Sequence, residues 1–478
     1  MHVSIRSKVK IFVSLVVISS ACLAFGITAK AGVQAAGTHI SLSPNTSHPS
    51  ASIKVIGKTF GVSEIVSITF DTTSVGTATT DGTGAFVAKI TIPSSALPGT
   101  HTVHATGSTS GFTASASFLV QTNWLMFGYN SNHSHFNPYE NVLSSANVSN
   151  LLLDWSYATG GLIDSSPTVA NGIVYIGSRD NKLYALNATT DAFLWNYTTG
   201  GIIVTSSPSV SNGVVYIGSF DDKLYALNAT TGALLWSYTT GNVIASSPVV
   251  ANGIVYISSE DNKLYALNAT TGALLWSYTT GNPMISSPAI INGIVYVGSE
   301  DDKLYALSAS SGTLIWSYLT GGAIGSSPAV VGGVVFVGSY DNKLYALNAS
   351  KGTFLWSYTT KSAIDSSPAV ANGTVYIGSF DDTLYALSTK TGILRWSYTT
   401  GCSIVSSPAI ANGVIYVASG CDNTLHALNA TSGSSLWSYS TRNIIESSPA
   451  VVNGVVYIGS EDNTLYAFHL PSATSMKN

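Results

Sequence analysis

Short apolar runs separated by polar turns follow one another along most of this chain, and the pattern repeats at a fixed distance. Each unit begins with Ser-Ser-Pro, continues through runs rich in Val, Ile and Tyr, and ends near a tryptophan. Successive tryptophans lie 40 or 41 residues apart, at Trp155, Trp195, Trp236, Trp276, Trp316, Trp356, Trp396 and Trp437. A fixed period of this length is typical of solenoids, propellers and arrays of small units.

The second unit shows what one repeat contains. Its apolar runs cover residues 206–211, 214–219, 223–228 and 233–239, with tight turns between them such as Asn212-Gly213. Four short runs joined by such turns predict four antiparallel strands, A to D, which is the make-up of one propeller blade. Because no window carries an apolar helical period, the pattern excludes a helical solenoid. The eight units predict an all-β, eight-bladed β-propeller over residues 150–470.

The two ends of the repeat array complement each other. The last unit stops near Leu470 after its third strand, whereas residues 150–158 around Trp155 form a fourth strand with no preceding three. A closed β architecture leaves no sheet edge free for pairing with other chains. We therefore predict that residues 150–158 form the outer strand of the blade that contains residues 447–470.

The units resemble the PQQ-type (pyrroloquinoline-quinone-type) repeat of eight-bladed propellers, over about residues 124–470. The docking pattern of that family is Ala-x-Asp-x-x-x-Gly-x-x-x-Trp, which reads Ala226, Asn228, Gly232 and Trp236 in one blade here. Asn or Ser replaces the Asp throughout, and Asp191 replaces the Gly in the first blade. The resemblance implies the fold. It leaves the function open, because similar propellers serve as quinoprotein dehydrogenases, outer-membrane assembly lipoproteins and sensor domains.

An enzymatic function is not favoured by the residues. The quinoprotein resemblance implies adjacent cysteines, a calcium site and a catalytic Asp in long insertions, but this chain has no adjacent cysteine pair and almost no insertions. Residues 223–242 and 263–282 are identical, whereas a catalytic site needs different groups converging at one place. His133 and His135 have a spacing that suits a metal, but no third ligand is in view. We predict no catalytic, cofactor-binding or metal-binding residues, and in particular no PQQ.

The part of the chain before the propeller divides into three segments. Residues 1–31 have a basic start, an apolar run and a small-x-small cleavage site, which predicts a signal peptide; an uncleaved anchor and a lipidated Cys22 are the alternatives. Residues 38–121 carry several short β runs and resemble bacterial immunoglobulin-like modules, which implies a spacer or stalk. Residues 122–149 are predicted to be a linker packed on the rim of the propeller. Residues 471–478 are a tail.

Charge is sparse but unevenly placed. Charged residues make up 9% of the chain and the net charge is −4, so a nucleic-acid partner is not expected. Strand order A to D puts the B–C and D–A loops on one face of the propeller. This face contains 17 of the 23 acids and eight basic residues, so its net charge is −9. These acids either attract a basic partner through the summed field or simply favour tight turns. The candidate binding face comprises Asp180, Asp221, Asp261, Asp301, Asp341, Asp381, Asp422, Asp462, Phe220, Tyr340 and Phe380.

Cys402 and Cys421 are the cysteines that remain outside the signal segment. They stand in the D–A and B–C loops of the seventh blade, next to the extra residue Gly420. Because the start of strand A lies beside the end of strand B, and exported proteins meet oxidising conditions, we predict a disulfide rather than two free thiols.

The sequence as a whole predicts a secreted or cell-surface, non-catalytic binding or scaffold propeller. We expect a monomer with a protein or glycan partner, weakly bound cations and no membrane span after signal removal. An outer-membrane assembly role and a quinone- or metal-dependent oxidoreductase are the alternatives.

Overall fold

The computed structural model describes residues 37–471 and is almost entirely β. The predicted signal segment, Cys22 and all but Pro471 of the predicted tail lie outside these residues. Within the described part, Val148–Asn150 forms a 3-10 turn and every other regular element is a strand. No helix between residues 37 and 471 is long and apolar enough to cross a membrane.

Eight sheets form the repeat region, each with four antiparallel strands, and blade 7 carries a fifth, parallel strand from the linker; they are numbered here as blades 1 to 8. Their A strands are Thr168–Ala170, Ser209–Ser211, Val249–Ala251, Ala289–Ile291, Ala329–Val331, Ala369–Ala371, Ala409–Ala411 and Ala450–Val452. Their B strands are Ile173–Ser178, Val214–Gly218, Ile254–Ser259, Ile294–Gly298, Val334–Gly338, Thr374–Gly378, Val414–Ser419 and Val455–Ser460. Their C strands are Lys182–Asn187, Lys223–Asn228, Lys263–Asn268, Lys303–Ser308, Lys343–Asn348, Thr383–Ser388, Thr424–Asn429 and Thr464–His469. Their D strands are Phe193–Thr198, Leu234–Thr239, Leu274–Thr279, Leu314–Leu319, Phe354–Thr359, Leu394–Thr399, Ser435–Ser440 and Leu152–Ala158.

The D strand of blade 8 comes from the start of the repeat region, as the two incomplete ends predicted. Leu152–Ala158 pairs antiparallel with Thr464–His469, and Trp155 lies opposite Ala467. The N- and C-terminal parts of the array therefore share one sheet and close the ring. Together with the all-β composition, this closed arrangement confirms the predicted fold class.

In blades 1 to 4 and 6, a strand B tyrosine and a strand D tryptophan donate to the same carbonyl of the next blade, as blade 1 shows. Tyr175 Oη in strand B and Trp195 Nε1 in strand D of blade 1 both donate to the Ala229 carbonyl of blade 2, at 2.9 and 3.1 Å. Gly232 of blade 2 lies under the Trp195 ring, where a Cβ would come within 2.6 Å of Trp195 Cε3. Because its φ is +71° as well, only glycine fits without strain.

The same tryptophan contact recurs around the ring with one exception. A backbone carbonyl of the following blade accepts from the indole nitrogens of Trp195, Trp236, Trp276, Trp316, Trp356, Trp396 and Trp437. Trp155 is 8% exposed, and its Nε1 has no partner among the described residues. The blade that follows Trp155 is blade 1, where Asp191, with φ +54°, stands in place of the docking glycine.

The N-terminal module contains two sheets. Strands β1 (His39–Ser43), β3 (Ser52–Lys58) and β6 (Phe86–Thr91) form one, and β2 (Thr46–Ser47), β8 (Thr113–Val120), β7 (Gly99–Gly107), β4 (Ile65–Phe70) and β5 (Thr73–Thr79) form the other. Inward residues such as Val55, Ile68 and Phe118 alternate with exposed ones and build a core of their own. The edge strand β5 has mostly polar residues, so no apolar run marks it in the sequence. The immunoglobulin-like resemblance stays a prediction.

The linker lies in the central opening of the propeller and not on its rim. Its backbone carbonyls accept from the middle N–H of the short A strands in six blades, in the pairs Trp124–Val169, Leu125–Val210, Ser131–Ile290, Asn132–Val330, Ser134–Val370 and His135–Ile410. Phe136–Asn137 also pairs in parallel with the A strand of blade 7. The rim prediction is wrong because the A strands, only three residues long, leave inner edges whose N–H groups need acceptors.

The N-terminal module sits on the face of the A–B turns, opposite the loops rich in acids. Asn453, in the A–B turn of blade 8, exchanges hydrogen bonds with Thr122, and the Asn171 N–H donates to Asn123 Oδ1. Asn141 in the returning part of the linker donates to the Ala96 carbonyl of the module. These contacts place the N-terminal module on the side of the ring away from the acidic loops.

Candidate functional site

The candidate site is the face formed by the B–C and D–A loops, and the aspartates predicted to form it mainly hold the fold together. Asp261 is representative: its Oδ2 accepts from the Gly241 N–H at 2.8 Å and from the Tyr265 hydroxyl at 2.5 Å. Asp180, Asp221, Asp301, Asp341, Asp381 and Asp462 make the same pair of contacts with a D–A loop N–H and a strand C tyrosine.

These carboxylates therefore fasten each D–A loop to strand C. Asn could not accept both hydrogen bonds with the strength of a charged oxygen, which explains the recurrence of Asp better than turn preference alone. The acids left for a ligand are their neighbours, such as Asp222 and Asp302. Both are half-buried turn residues with φ +66°, and their carboxylates make no hydrogen bond within the described chain. Asn takes the same position in other blades, at Asn181, Asn262, Asn342, Asn423 and Asn463.

Two of the three predicted loop aromatics reach the surface together. Tyr340 and Phe380 are 40% and 37% exposed, and their ring centroids lie 6.4 Å apart. Phe220 is half-buried, and its N–H donates to the Ile202 carbonyl. Tyr340 and Phe380 thus form a small exposed aromatic patch on blades 5 and 6, whereas Phe220 is less exposed.

At the centre of this face, the second serine of every Ser-Ser-Pro triplet belongs to a closed ring. The N–H of each serine donates to the Oγ of the serine in the next blade, at 2.9–3.0 Å, and Ser448 donates back to Ser166. The members are Ser166, Ser207, Ser247, Ser287, Ser327, Ser367, Ser407 and Ser448. All eight are buried, so this serine ring joins the blades around the axis.

A second ring lies beside the serine ring and is different in every sector. It consists of the residue two positions before each ring serine, namely Asp164, Thr205, Ala245, Ile285, Gly325, Asp365, Val405 and Glu446. The two rings and Phe127 of the linker line one cavity of about 130 Å³ on the propeller axis. This axial cavity is acidic toward blades 6, 8 and 1, and apolar toward blades 3 and 4. The eightfold repetition of the sequence concealed this asymmetry.

The acidic side of the axial cavity has an ion pair between a buried carboxylate and a partly exposed guanidinium. Asp164 Oδ2 accepts from Arg179 Nε at 2.5 Å, and Arg179 Nη2 lies 3.6 Å from Glu461 Oε1. The carboxylates of Asp164, Glu446 and Glu461 bring one oxygen each within 4.8 Å of the others. Burial raises the pKa of Asp164 to about 6 and also raises the pKa of Glu446, with Glu461 adding repulsion. The side chain of Asp164 is fully buried, and its Oδ1 has no partner among the described residues.

Asp365 connects the acidic and apolar sides. Its Oδ1 accepts from the Tyr340 hydroxyl at 2.9 Å, and burial raises its pKa. Gly325 leaves the space in which these groups meet: a Cβ there would collide with Asp365 Oδ1 and lie 3.1 Å from Tyr340 Oη and 3.2 Å from Ile285 Cδ1. A carboxylate and an aliphatic side chain thus border the same small volume.

His133 and His135 lie on the other side of Phe127, inside the propeller. They are 0% and 1% exposed, and both imidazole rings meet Phe127 edge-on at centroid distances of 5.5 and 5.0 Å. Burial lowers the pKa of His133 to about 4 and that of His135 to about 3. The metal-ligand cluster found within residues 37–471 contains neither histidine, so the structure brings no third ligand to this pair.

Blade 7 contains the predicted cysteine pair and an unpredicted polar cluster. Cys402 and Cys421 form a disulfide with Cα atoms 5.6 Å apart. His426 takes the place of the strand C tyrosine, and its Nε2 lies 3.2 Å from Ser419 Oγ and 3.8 Å from Asp422 Oδ2. A catalytic triad needs the serine and the carboxylate on opposite ring nitrogens. Here both approach Nε2 and Ser419 is fully buried, so this cluster replaces the usual Asp–Tyr contact.

A larger cleft, of about 650 Å³, separates the N-terminal module from blade 8. Its polar groups are largely paired with one another. His469 Nε2 lies 3.0 Å from Asp154 Oδ1, and the Tyr457 hydroxyl donates to the Ala188 carbonyl. The cleft therefore offers mainly the space between two domains, whereas the axial cavity gathers unlike groups at one place.

Comparison with known proteins supports the repeat type. The family described as "Outer membrane protein assembly factor BamB" matches residues 140–247 and 239–324. The family described as "Beta-alanine-activating enzyme, beta-propeller" matches residues 286–477. Lupanine 17-hydroxylase [cytochrome c] of a Pseudomonas species is 34% identical over 85 residues, which are 17% of this chain and 12% of that enzyme. The repeats are PQQ-like, and the likeness to the enzyme spans a small part of its length.

Two solved structures show how widely the architecture is shared. BamB from Moraxella catarrhalis matches with a TM-score of 0.60 and 20% identity, over 67% of this chain and 99% of that chain. A europium-containing methanol dehydrogenase matches with a TM-score of 0.63 and 14% identity, over 73% of this chain and 98% of that chain. At these identities the likeness shows the fold alone. An assembly factor and an enzyme share it, so the function has to come from the site.

The residues of the axial cavity do not fit the quinone cofactor that the quinoprotein resemblance implies. A volume of about 130 Å³ holds roughly four waters, whereas pockets for small molecules and cofactors measure about 300–1,000 Å³. Phe127 occupies the floor, and Arg179 already engages Asp164. A tricyclic ligand would have to displace the linker from the axis.

Proposed function

We propose that this protein is an extracytoplasmic, non-catalytic propeller that binds a basic protein partner through its loop face. The observation that carries this proposal is the difference in occupancy between the two faces. The linker and the N-terminal module are attached on the A–B side at blades 7, 8 and 1, through contacts such as Asn412 with the Leu143 carbonyl, Asn453 with Thr122 and Asn171 with Asn123. The loop face, with its net charge of −9, is left open.

Two further features support an extracytoplasmic binding role. The Cys402–Cys421 disulfide suits an oxidising compartment, and so does the signal-like pattern of residues 1–31. The eight aspartates that repeat on the loop face accept from backbone N–H groups, and together with the neighbouring acids they set the negative field of this face. A field of this kind speeds and orients the approach of a basic partner more than it adds affinity.

A role in the assembly of outer-membrane proteins is the second candidate. It is favoured by the match to the family described as an outer membrane protein assembly factor and by the match over 99% of the Moraxella catarrhalis chain. Mass spectrometry of the mature N-terminus separates this role from the first, because it would require a lipid on Cys22. An absorbance spectrum of the purified protein tests the remaining alternative, a quinone-dependent oxidoreductase.

The charge proposal is tested with an envelope extract of the producing organism passed over the full-length protein, which is tethered at its N-terminus. We expect the wild type to retain basic proteins at about 50 mM salt and to release them at about 500 mM, as screening shortens the Debye length. The triple variant Asp222→Asn, Asp302→Asn, Asp382→Asn should retain much less. Asn is native at this turn position in other blades, so the fold should tolerate all three changes.

The matched control is Asp191→Asn. It removes one carboxylate in the same way, also at a residue with positive φ, but in a C–D turn on the opposite face. If the control loses as much retention per removed charge as the triple variant, or if salt has no effect on the wild type, the loop face is not the binding surface.

A further inference from the structure

We propose that the axial cavity receives a primary ammonium group carried on an aliphatic chain, namely a lysine side chain presented by the partner. This inference rests on the proposed function for the source of the lysine. The site itself is defined by its own residues. It depends on the ring that varies between blades and on none of the repeated aspartates.

The two walls of the axial cavity differ in chemistry, which is the first ground for this proposal. Asp164, Asp365 and Glu446 line it on one side, and Ala245 and Ile285 line it on the other. A hydrated metal ion gains no favourable contact from an aliphatic wall. A lysine has an apolar stem and a charged tip that match the two sides. The volume of about 130 Å³ suits such a side chain and excludes larger cofactors.

A buried carboxylate oxygen without a hydrogen-bond partner among the described residues is the second ground for this proposal. Asp164 Oδ1 makes no hydrogen bond within residues 37–471, although its side chain is fully buried and lines the axial cavity. Buried polar groups are nearly always partnered, so an exception points to a donor that comes from elsewhere. An ammonium group offers three donors and no acceptor, and it can serve Asp164 and Glu446 together.

The lack of a side chain at Gly325 is the third ground for this proposal. The neighbouring variable positions carry side chains, such as Ile285, whereas Gly325 has none and other groups of the cavity wall approach its backbone closely. A Cβ added at Gly325 would meet Asp365 Oδ1, Tyr340 Oη and Ile285 Cδ1. Its φ is not in the left-handed region, and Ala245 is native at the equivalent position of blade 3. Glycine is therefore not demanded by the backbone but by Asp365, whose carboxylate could not keep its place in the cavity wall beside a Cβ at Gly325.

The direct test measures binding of N-acetyl-lysine-N-methylamide, n-butylammonium and n-butanol to the full chain by calorimetry or ligand-observed NMR. We expect the two ammonium probes to bind, with butanol at least about tenfold weaker, since a charge-assisted hydrogen bond is lost. Glu446→Gln and Asp365→Asn should each weaken butylammonium by about tenfold, and Gly325→Ala should abolish binding. Asp302→Asn, which removes a charge on the same face outside the axial cavity, should change nothing.

Each other outcome is decisive. Equal binding of butanol and butylammonium, or cavity variants that bind like the wild type, would overturn the ammonium assignment. Binding of Ca²⁺ with no binding of either ammonium probe would overturn it in favour of a metal. If the ammonium probes bind as expected but no basic protein is retained by the loop face, the cavity stands and the proposed partner fails. If basic proteins are retained equally by the wild type and Gly325→Ala, the partner stands and the lysine contact fails.

Discussion

The two rings around the propeller axis are built from residues two positions apart in the same repeat, yet they differ in character. The serine ring is identical in all eight blades, and each member accepts one N–H from its neighbour. The variable ring next to it ranges from Gly325 to Ile285 to Glu446. Repetition supplies a rigid frame, and one unconstrained position per repeat supplies a site that the frame brings together at the axis.

The largest effect is expected from opening the frame itself. Deleting residues 150–158 removes the D strand of blade 8, together with the acceptor carbonyl of Leu151 for Trp437 Nε1. Loss of the buried Trp155 alone should cost about 3–5 kcal/mol of unfolding free energy. We expect the single thermal transition to be lost and the protein to associate through the exposed edge of Thr464–His469.

Differential scanning calorimetry and light scattering measure these two consequences. A Trp155→Phe variant, which keeps the strand, is the control and should retain one transition. A deletion variant that stays monomeric with an unchanged transition would show that closure contributes little to the ring.

Acidification is expected to have the next largest effect, through the buried histidines of the linker. His133 and His135 have pKa values lowered to about 4 and about 3, against 6.5 for an exposed histidine. The unfolded chain therefore binds protons that the folded chain rejects. The stability that these histidines contribute is complete above about pH 6.5 and is lost as the pH falls toward 3. Each histidine should remove about 1.4 kcal/mol per pH unit in this range.

Asp164 acts in the opposite direction, because its raised pKa of about 6 lets the folded protein take up a proton first. Glu446 and Asp365, whose pKa values are also raised, add to this opposing effect. The measurement is therefore a comparison of urea unfolding curves between the wild type and the double variant His133→Leu, His135→Leu from pH 7 to pH 4. As the pH falls, the unfolding free energy of the wild type should decrease relative to that of the double variant. A constant gap would mean that the imidazoles are not buried.

Repetition made the frame easy to predict and the site hard to see. The period of the tryptophans, the Asn-Gly turns and the incomplete ends sufficed for the eight sheets and for the pairing of Leu152–Ala158 with Thr464–His469. The Cys402–Cys421 bond followed from strand adjacency within one blade. All these features depend on local patterns or on neighbours within a sheet, which sequence spacing reports directly.

The sequence patterns did not predict the axial cavity. Its variable ring is formed by eight residues about 40 positions apart, whose only common property is their place before Ser-Ser-Pro. Near-identity of the repeats argues against converging unlike groups, yet alignment of the repeats brings Asp164, Asp365 and Glu446 to one position. The path of the linker was missed for a different reason. Its contacts with the A strands are made by backbone carbonyls, such as those of Ser131 and Asn132, and these leave no mark on side-chain pattern.

The disulfide is a local exception to the repeat, and its removal should have an intermediate effect. The two cysteines are 19 positions apart, which in the chain-entropy account corresponds to about 3 kcal/mol of unfolding free energy. The double variant Cys402→Ser, Cys421→Ser should lose this amount in urea unfolding, and reductant should affect only the wild type. Titration of the unreduced, denatured mature protein should find no free thiol. Two thiols per chain would contradict the bond.

The smallest effect is expected from single positions in the two rings, and it tests the difference between the serine ring and the variable ring directly. Ser287→Ala removes the Oγ that accepts the buried Ser247 N–H at 2.9 Å, which should cost about 1–3 kcal/mol for the unsatisfied donor. Ile285→Ala, two positions earlier in the half-buried variable ring, should cost less, because Ala is native at this place in blade 3. Urea unfolding at pH 7 compares the two. A larger loss for Ile285→Ala would show that the variable ring also serves the frame, and the distinction between frame and site would fail at that point.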